Sequence, residues 1–588
     1  MSAFASLIRN NAKPDEETLR SLSLAMASFG KSVLHSNTAN HFQVLRTAAS
    51  VEREPEFVAD ENGVSAVGNI RWTAREELVR TLNASSAMTD AALLLLAYRR
   101  WGTDLLLHVQ GEFAFVLWDS EQHIALAATD HFGIRPLFYS AATQGLLLSD
   151  SVPVLRDSKL CDIAMDENSI ADFLSIGFII DERATYYRGI QRLAPATRLI
   201  YKDGHIQVAA YWQPPAQEEL LLLPRIEDYA EQLRHLLLQV VAERIPLAGA
   251  IGVMLSGGMD STSIAACICH VLGRESAADR VTAYTHVSRI VREREGHYAA
   301  SVTKHLGIRH QVFVSEDAIE ESLQRHMAVR PPQPSLEPPS LATSLPGLEM
   351  ATQGGTLFSG QGGDAQFRPT RCDLQRIAAT GLLRTPLQCI RYWKTLGTIP
   401  AFGWRPYLAQ KLGKRGVHLL PVWIHPSFAQ RTGLQDRLDK YLATRTADVN
   451  ELRGPFWTNL LGLGVSSLTG ASFDVSYPYF DIRLMRFSSC LPDDLLWHKR
   501  ILREAMRTLL PDDVLQRPKT PLGSTKVLLQ IDPHHQQRRS ALLDETGSSI
   551  THIVNLDVVR RSIASPEAET SLGLGRIELL LRWIARSA

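Results

Sequence analysis

The sequence predicts an α+β sandwich over residues 1–212, a linker at 213–224, and an α/β unit over 225–588 that turns helical towards its C-terminal end. Three observations predict this. Short apolar runs separated by turn residues crowd the first 212 positions. From Ile226 onwards, helical spacing alternates with strand-length apolar runs, which marks a doubly wound parallel sheet. Two glycine loops, Ser256–Ser261 and Ser359–Asp364, each follow one of those runs directly.

Taken in order, Gly111–Asp119 (GEFAFVLWD), Ile124–Ala128, Gly145–Ser149 and Thr197–Tyr201 read as strands, with a turn at Lys202-Asp203-Gly204. Thr89–Trp101 has apolar residues at helical spacing, and Thr89 is placed to cap it. The linker opens on Pro214-Pro215 and closes on Pro224. A helix is expected from Ile226 to Glu243, then strand Ile251–Leu255, the first glycine loop and helix Ser263–Leu272. Strand Val281–Val287, helix Tyr298–Leu306 and strands Gln311–Val314 and Thr356–Phe358 follow. After the second glycine loop the chain reads as largely helical. The proline-rich stretch 331–339 (PPQPSLEPP) reads as an irregular loop and is a candidate lining for a substrate cavity.

Composition narrows the function. Lys plus Arg and Asp plus Glu both number 62, so no overall field points to nucleic acid or membrane as a partner. The six cysteines form no CxxC pair and no zinc-ligand spacing, so reduced thiols are expected. Neither the leucine runs at 93–96 and 220–223 nor the N-terminus is long and apolar enough for a membrane span or signal peptide. A cytoplasmic protein is the expectation.

The chemistry resides in Ser256-Gly257-Gly258-Met259-Asp260-Ser261, between a strand and a helix. Two glycines let a backbone approach a polyanion, and the helix N-terminus adds partial positive charge. Ser256 and Ser261 supply hydroxyl donors. Asp260 would repel phosphates unless it holds a Mg²⁺ ion that bridges them. As a plain glycine turn capping a helix, the segment would need none of these features together. The loop is neither GxxxxGK[ST] nor GxGxxG.

It resembles the pyrophosphate loop of the N-type ATP pyrophosphatases, which implies cleavage of ATP to AMP and pyrophosphate. Phe358–Asp364 (FSGQGGD) narrows the resemblance to the asparagine synthetase and β-lactam synthetase family. It implies that Leu255, Ser256, Gly257, Gly258, Asp260, Ser261 and Gly360 bind ATP and pyrophosphate, and that Asp260 and Asp364 share the metal. Tyr477-Pro478-Tyr479-Phe480-Asp481 resembles the family's Pro-aromatic-aromatic-Asp element, and Lys499 and Lys519 match its two lysines. The first implies a phosphate contact. The second implies stabilisation of the reacting centre, where a fixed cation meets developing negative charge.

The N-terminal unit is similar to a class II glutamine amidotransferase domain, through Gly111–Asp119 and Asp130–Tyr139 (DHFGIRPLFY), but it departs where the chemistry should be. The nucleophilic cysteine expected after Met1 is Ser2, no cysteine precedes Cys161, and the Asn-Gly pair reads Val67-Gly68. A degenerate glutaminase domain is expected, kept for structure or for docking a partner. The amine must then already be on the substrate. Among branches that work this way, the β-lactam synthetases carry a tyrosine where this chain has Gln361, which cannot act as a base. A peptide N-terminal amine, with a pKa of about 8, needs such a base less.

In its length, its lost cysteine and its general sequence texture the chain most resembles the lasso peptide cyclases, which implies Lys519 and Gln361 at the catalytic position. That implies a precursor peptide as substrate, with a leader peptidase and leader-binding protein as pathway partners. Rival readings are a β-lactam-synthetase-like or ammonia-dependent amide ligase, an inactive peptide-binding scaffold, and nucleotide thiolation, which predicts a basic RNA surface.

Overall fold

The computed structural model describes residues 3–9, 16–27, 32–39, 42–48, 56–61, 63–142, 145–214, 219–287, 295–314, 355–369, 373–379, 381, 384–400, 420–445, 452–462, 474–517, 533–564 and 568–587. The N-terminal part is built on two antiparallel sheets. The strands are β1 (Phe4–Ile8), β2 (Ser32–Ala39), β3 (Phe42–Ala48), β4 (Glu56–Ala59), β5 (Val64–Thr73), β6 (Gln110–Asp119), β7 (Ile124–Thr129), β8 (Phe138–Ala142), β9 (Gly145–Ser149), β10 (Gln191–Arg192), β11 (Thr197–Lys202) and β12 (His205–Ala210). One sheet runs β10-β8-β9-β1-β3-β2 and the other β12-β11-β7-β6-β5-β4.

Between Glu112 and Asp119 the run GEFAFVLWD is apolar without alternation because β6 is buried on both faces. Ala114, Val116 and Trp118 point between the sheets, towards Phe4, Phe42 and Leu148. The alternate residues Phe113, Phe115 and Leu117 meet Leu93, Leu94 and Ala97 of the helix Asp90–Trp101. Thr89 caps that helix by accepting from Ala92 N at 3.2 Å. Helices thus cover the outer face of the second sheet.

The first sheet is covered by the helices Glu16–Met26 and Val152–Asp157, and residues far away in sequence join the core beneath them. Leu7, Phe173, Tyr186 and Tyr187 share a core with Trp423, Phe428, Leu438, Ile553, Leu580 and Trp583. The Trp583 ring lies 5.6 Å from that of Tyr186. The helical C-terminal part is therefore packed on the sandwich.

The third sheet is parallel, in the order β15-β14-β13-β16-β17. Its strands are β13 (Ile251–Met254), β14 (Val281–Val287), β15 (Arg309–Val314), β16 (Thr356–Phe358) and β17 (Asp474–Ser476). β17, within a stretch expected to be largely helical, has three residues and, among the described residues, pairs with β16 alone. From β13 the chain builds outward to β14 and β15, then returns to lay β16 on the other side. That reversal puts the topological switch point between β13 and β16, where open parallel sheets bind ligands.

Candidate active site

Both glycine loops leave the carboxyl ends of the adjacent strands β13 and β16, whose register pairs Val253 with Phe358. The first loop is held tightly. Leu255 is buried, its N–H donates to the Tyr284 carbonyl at 2.8 Å, and its carbonyl accepts from Thr285 Oγ1 at 2.8 Å. Leu255 therefore ends the strand, with its N–H already used. Gly257 has φ +65°, and a Cβ there would lie 2.7 Å from Tyr298 Cβ, so only glycine fits against the helix Glu295–Leu306. Gly258 caps the helix Met259–Leu272, which begins four residues earlier than expected and takes Asp260 and Ser261 into its first turn. Ser261 Oγ accepts from Ser256 N at 3.2 Å, and Ser256 Oγ accepts from Gly258 N at 3.3 Å.

The second loop packs directly on the first. A Cβ on Gly360 would lie 2.7 Å from Ser261 N, and one on Gly363 would lie 2.4 Å from Asp260 Cγ. Gly360 is thus required by backbone approaching backbone, and Gly363 by the Asp260 side chain that lies against it. Asp364 and half-exposed Gln361 sit at this junction, with Gln361 N bonded to Ser359 Oγ at 3.2 Å.

Lys499 joins the two loops. Its Nζ lies 2.5 Å from Asp260 Oδ2 and 2.6 Å from Asp364 Oδ1. The expected metal pair and the expected phosphate lysine are therefore within contact of one another. His498 and Lys499 both have left-handed backbone, with φ of 50° and 55°. Neither is glycine, so each costs about 1–3 kcal/mol, a strain typical of functional positions. Arg503 Nε donates to the His498 carbonyl at 3.0 Å and helps hold the kink.

Further contacts at the site were not anticipated from sequence. Tyr479 OH donates to the Asp260 carbonyl at 3.1 Å, and burial beside the Asp260 charge keeps that phenol well above its usual pKa, so it remains a donor. Arg517 Nη1 donates to the Ser256 carbonyl at 3.1 Å, and its guanidinium lies over the Tyr298 ring at 4.6 Å. Tyr479 stood in a recognisable motif and Arg517 lies two residues before Lys519, but their partners lie more than two hundred positions away. Lys519, Ser2 and the 331–339 stretch lie outside the described residues.

Two carboxylates on adjoining loops suit a hard cation that takes its other oxygens from phosphates. Gly363 leaves the space beside Asp260 that any side chain would fill. Among the described residues, no group of three or more His, Cys, Asp or Glu could hold a metal, and no helix is long and apolar enough to cross a membrane.

In the N-terminal part, Val67 is buried between the sheets. A Cβ on Gly68 would lie 2.5 Å from the Ala114 carbonyl, so that glycine serves strand packing.

An asparagine synthase model matches residues 232–585, more than half of the chain, and a glutamine amidotransferase domain model matches 71–212. Asparagine synthetase (glutamine-hydrolyzing) 3 of Bacillus subtilis (strain 168) is 21% identical over 482 residues, covering 77% of this chain and 73% of that protein. The amidase chyE of Penicillium rubens is 28% identical over 186 residues, 31% of this chain and 27% of its own length. Asparagine synthetase (glutamine-hydrolyzing) 1 of Bacillus subtilis (strain 168) is 27% identical over 197 residues, 32% of this chain and 29% of its own.

Proposed function

Since the chain belongs to the asparagine synthase family of ATP-dependent amide ligases, we propose that it closes a macrolactam in a peptide. It adenylates an Asp or Glu side chain of a leader-processed precursor and joins it to the peptide's N-terminal amine, releasing AMP and pyrophosphate. The observation that carries this reading is the meeting of Asp260, Asp364 and Lys499 at the switch point.

Asp260 and Asp364 would hold a Mg²⁺ ion, which would offset the negative charge of the triphosphate beside the protein carboxylates. The backbone of Ser256–Ser261 orients the triphosphate, with the serine hydroxyls and the helix N-terminus facing it. Lys499 neutralises the leaving pyrophosphate. Its ammonium ends a flexible four-carbon stem and can exchange the carboxylates for phosphate oxygens. The substrate carboxylate attacks the α-phosphorus and pyrophosphate leaves. The amine then attacks the acyl carbon and AMP leaves. Lys519 is assigned to the negative charge on the tetrahedral oxygen. Gln361 supplies an amide that can orient the amine without taking its proton. Holding amine and acyl group together supplies much of the rate.

The amine source follows from the sandwich domain. With Ser2 and Val67-Gly68 in place of Cys and Asn-Gly, glutamine cannot deliver ammonia by the usual thiol route. A precursor peptide and its leader-handling proteins are the proposed partners, in a cytoplasmic setting.

The test incubates the full chain with Mg²⁺, ATP and peptides carrying a free N-terminus and an internal Asp or Glu. AMP, pyrophosphate and a product lighter by one water are expected. Asparagine formed from aspartate and ammonia would replace this reading with an ammonia-dependent synthetase, and a ring closed within a small molecule with a β-lactam-synthetase-like ligase. Peptide binding without pyrophosphate release would leave a scaffold.

A further inference from the structure

The segment Asp474–Asp481 touches both glycine loops, and the sandwich domain grips it at three points. At one end, Asp474 receives Arg71 at 2.6 Å and Arg135 at 2.5 Å, both from the sandwich. At the other, Asp481 accepts from Arg244 at 3.1 Å, and Arg244 in turn reaches Glu112 of β6 at 2.9 Å. Glu112, Arg244 and Asp481 are all buried. Burial alone would lower the Arg244 pKa, but Glu112 and Asp481 more than offset it. Burial likewise opposes the Asp481 charge, and Arg483 with Arg244 overcomes it. The Arg244 and Asp481 charges are thus each compensated by partners within contact.

The third grip is apolar. Phe132 meets Phe480 edge to face, with ring centres 5.7 Å apart. Phe480 lies against the second glycine loop, where a Cβ on Gly362 would be 2.7 Å from the ring and φ is +92°. The Asp130 carboxylate shapes the Phe132 turn by accepting from Phe132 N, Ile134 N and Arg135 N at 3.0, 3.1 and 2.9 Å. The DHFGIR element thus has work to do that involves no glutamine. Ser359 N of the loop also bonds the Ser476 carbonyl at 3.0 Å, and Tyr479 OH holds the Asp260 carbonyl. Three residues of parallel edge strand are a weak hold by themselves.

We propose that the sandwich domain positions the nucleotide site, with Phe132 and the Glu112–Arg244–Asp481 chain fixing the segment that holds both glycine loops. Phe132, Glu112 and Arg244 are positioning residues, since none of them touches either loop's carboxylates. The inference needs the two loops to move with this segment. It rests on the proposed chemistry only for the second of two readouts.

The experiment compares full-length wild type, Phe132→Ala and Phe132→Leu. The first readout is hydrogen exchange at the amides of 359–366, against those of Ile251–Met254 as an internal standard. The second is calorimetric binding of Mg²⁺ with α,β-methylene-ATP. In the alanine variant, loop exchange should quicken and nucleotide affinity fall, each roughly tenfold, within the range of site-to-site coupling. The β13 amides should hold steady, and leucine should restore most of both. Loop exchange equal to wild type, or an increase spread evenly over the chain, would overturn the proposal. If Phe132→Ala does not fold, Phe132→Leu is set against Phe132→Val, and a graded loop response is required. If even the wild type binds no nucleotide, the catalytic reading fails, while the exchange data still decide this inference.

Discussion

Gly68 in the sandwich and Gly257 in the parallel-sheet domain both stand where the amidotransferase and synthetase resemblances place a functional glycine. Gly68 packs against the β6 backbone beside buried Val67, and its neighbour Asn69 is bonded to Asp150 at 2.9 Å. Gly257 also packs closely, against Tyr298, but its loop leads into Asp260, Ser261 and, across the junction, Asp364 and Lys499. The difference teaches that glycines persist wherever backbones approach. The polar side chains beside them decide whether a loop retains chemistry.

Four changes break or sharpen that contrast. The largest effect should come from Asp260→Asn, which removes a metal ligand but keeps the side chain's shape. ATP-to-AMP turnover should fall by about 10²–10³, the range for a lost charge-stabilising group, with circular dichroism unchanged. Glu112→Gln probes the domain junction, leaving Arg244 and Arg71 buried with one carboxylate fewer. A loss of about 3–5 kcal/mol in urea unfolding is expected.

Val67→Asn, with or without Ser2→Cys, rebuilds the missing pair on the sandwich side. An amide between the sheets should cost about 1–3 kcal/mol, and glutamine hydrolysis should remain undetectable. Detectable hydrolysis would show that the domain had kept more than its packing.

The smallest effect is one of pH. Burial raises the Asp150 carboxyl to about 7, although Phe4 N and Asn69 donate to it. The folded state therefore binds more protons than the unfolded state between the ordinary carboxylate pKa and about 7. Asp150 should thus lower stability as pH rises through that window, and Asp150→Asn should flatten that slope in thermal midpoints. His131 acts oppositely. Burial lowers its pKa to about 4, so its contribution is lost as pH falls from 6.5 towards 4.

Local features were legible in the sequence. The β6 run, the Thr89 cap and the strand–loop–helix around Ser256 are all set by neighbours within a few residues. Asp260, Asp364 and Lys499 could be named singly. Their meeting depends on β16 returning beside β13 after a crossover of about a hundred residues, which no local pattern encodes. β17 escaped notice because DVS is too short to show alternation. The Phe132–Phe480 contact and the C-terminal helices on the sandwich were equally hidden, because they join segments hundreds of residues apart.

The central claim is that Asp260 and Asp364 serve one magnesium–nucleotide site. Its most direct test is electron paramagnetic resonance titration of Mn²⁺ with ATP into wild type, Asp260→Asn, Asp364→Asn and the double variant. The account predicts one nucleotide-dependent ion in wild type, weakened in each single variant. The two losses should couple rather than add, as groups sharing a ligand do. Strictly additive losses, or an Asp364→Asn variant that binds the ion as wild type does, would contradict it.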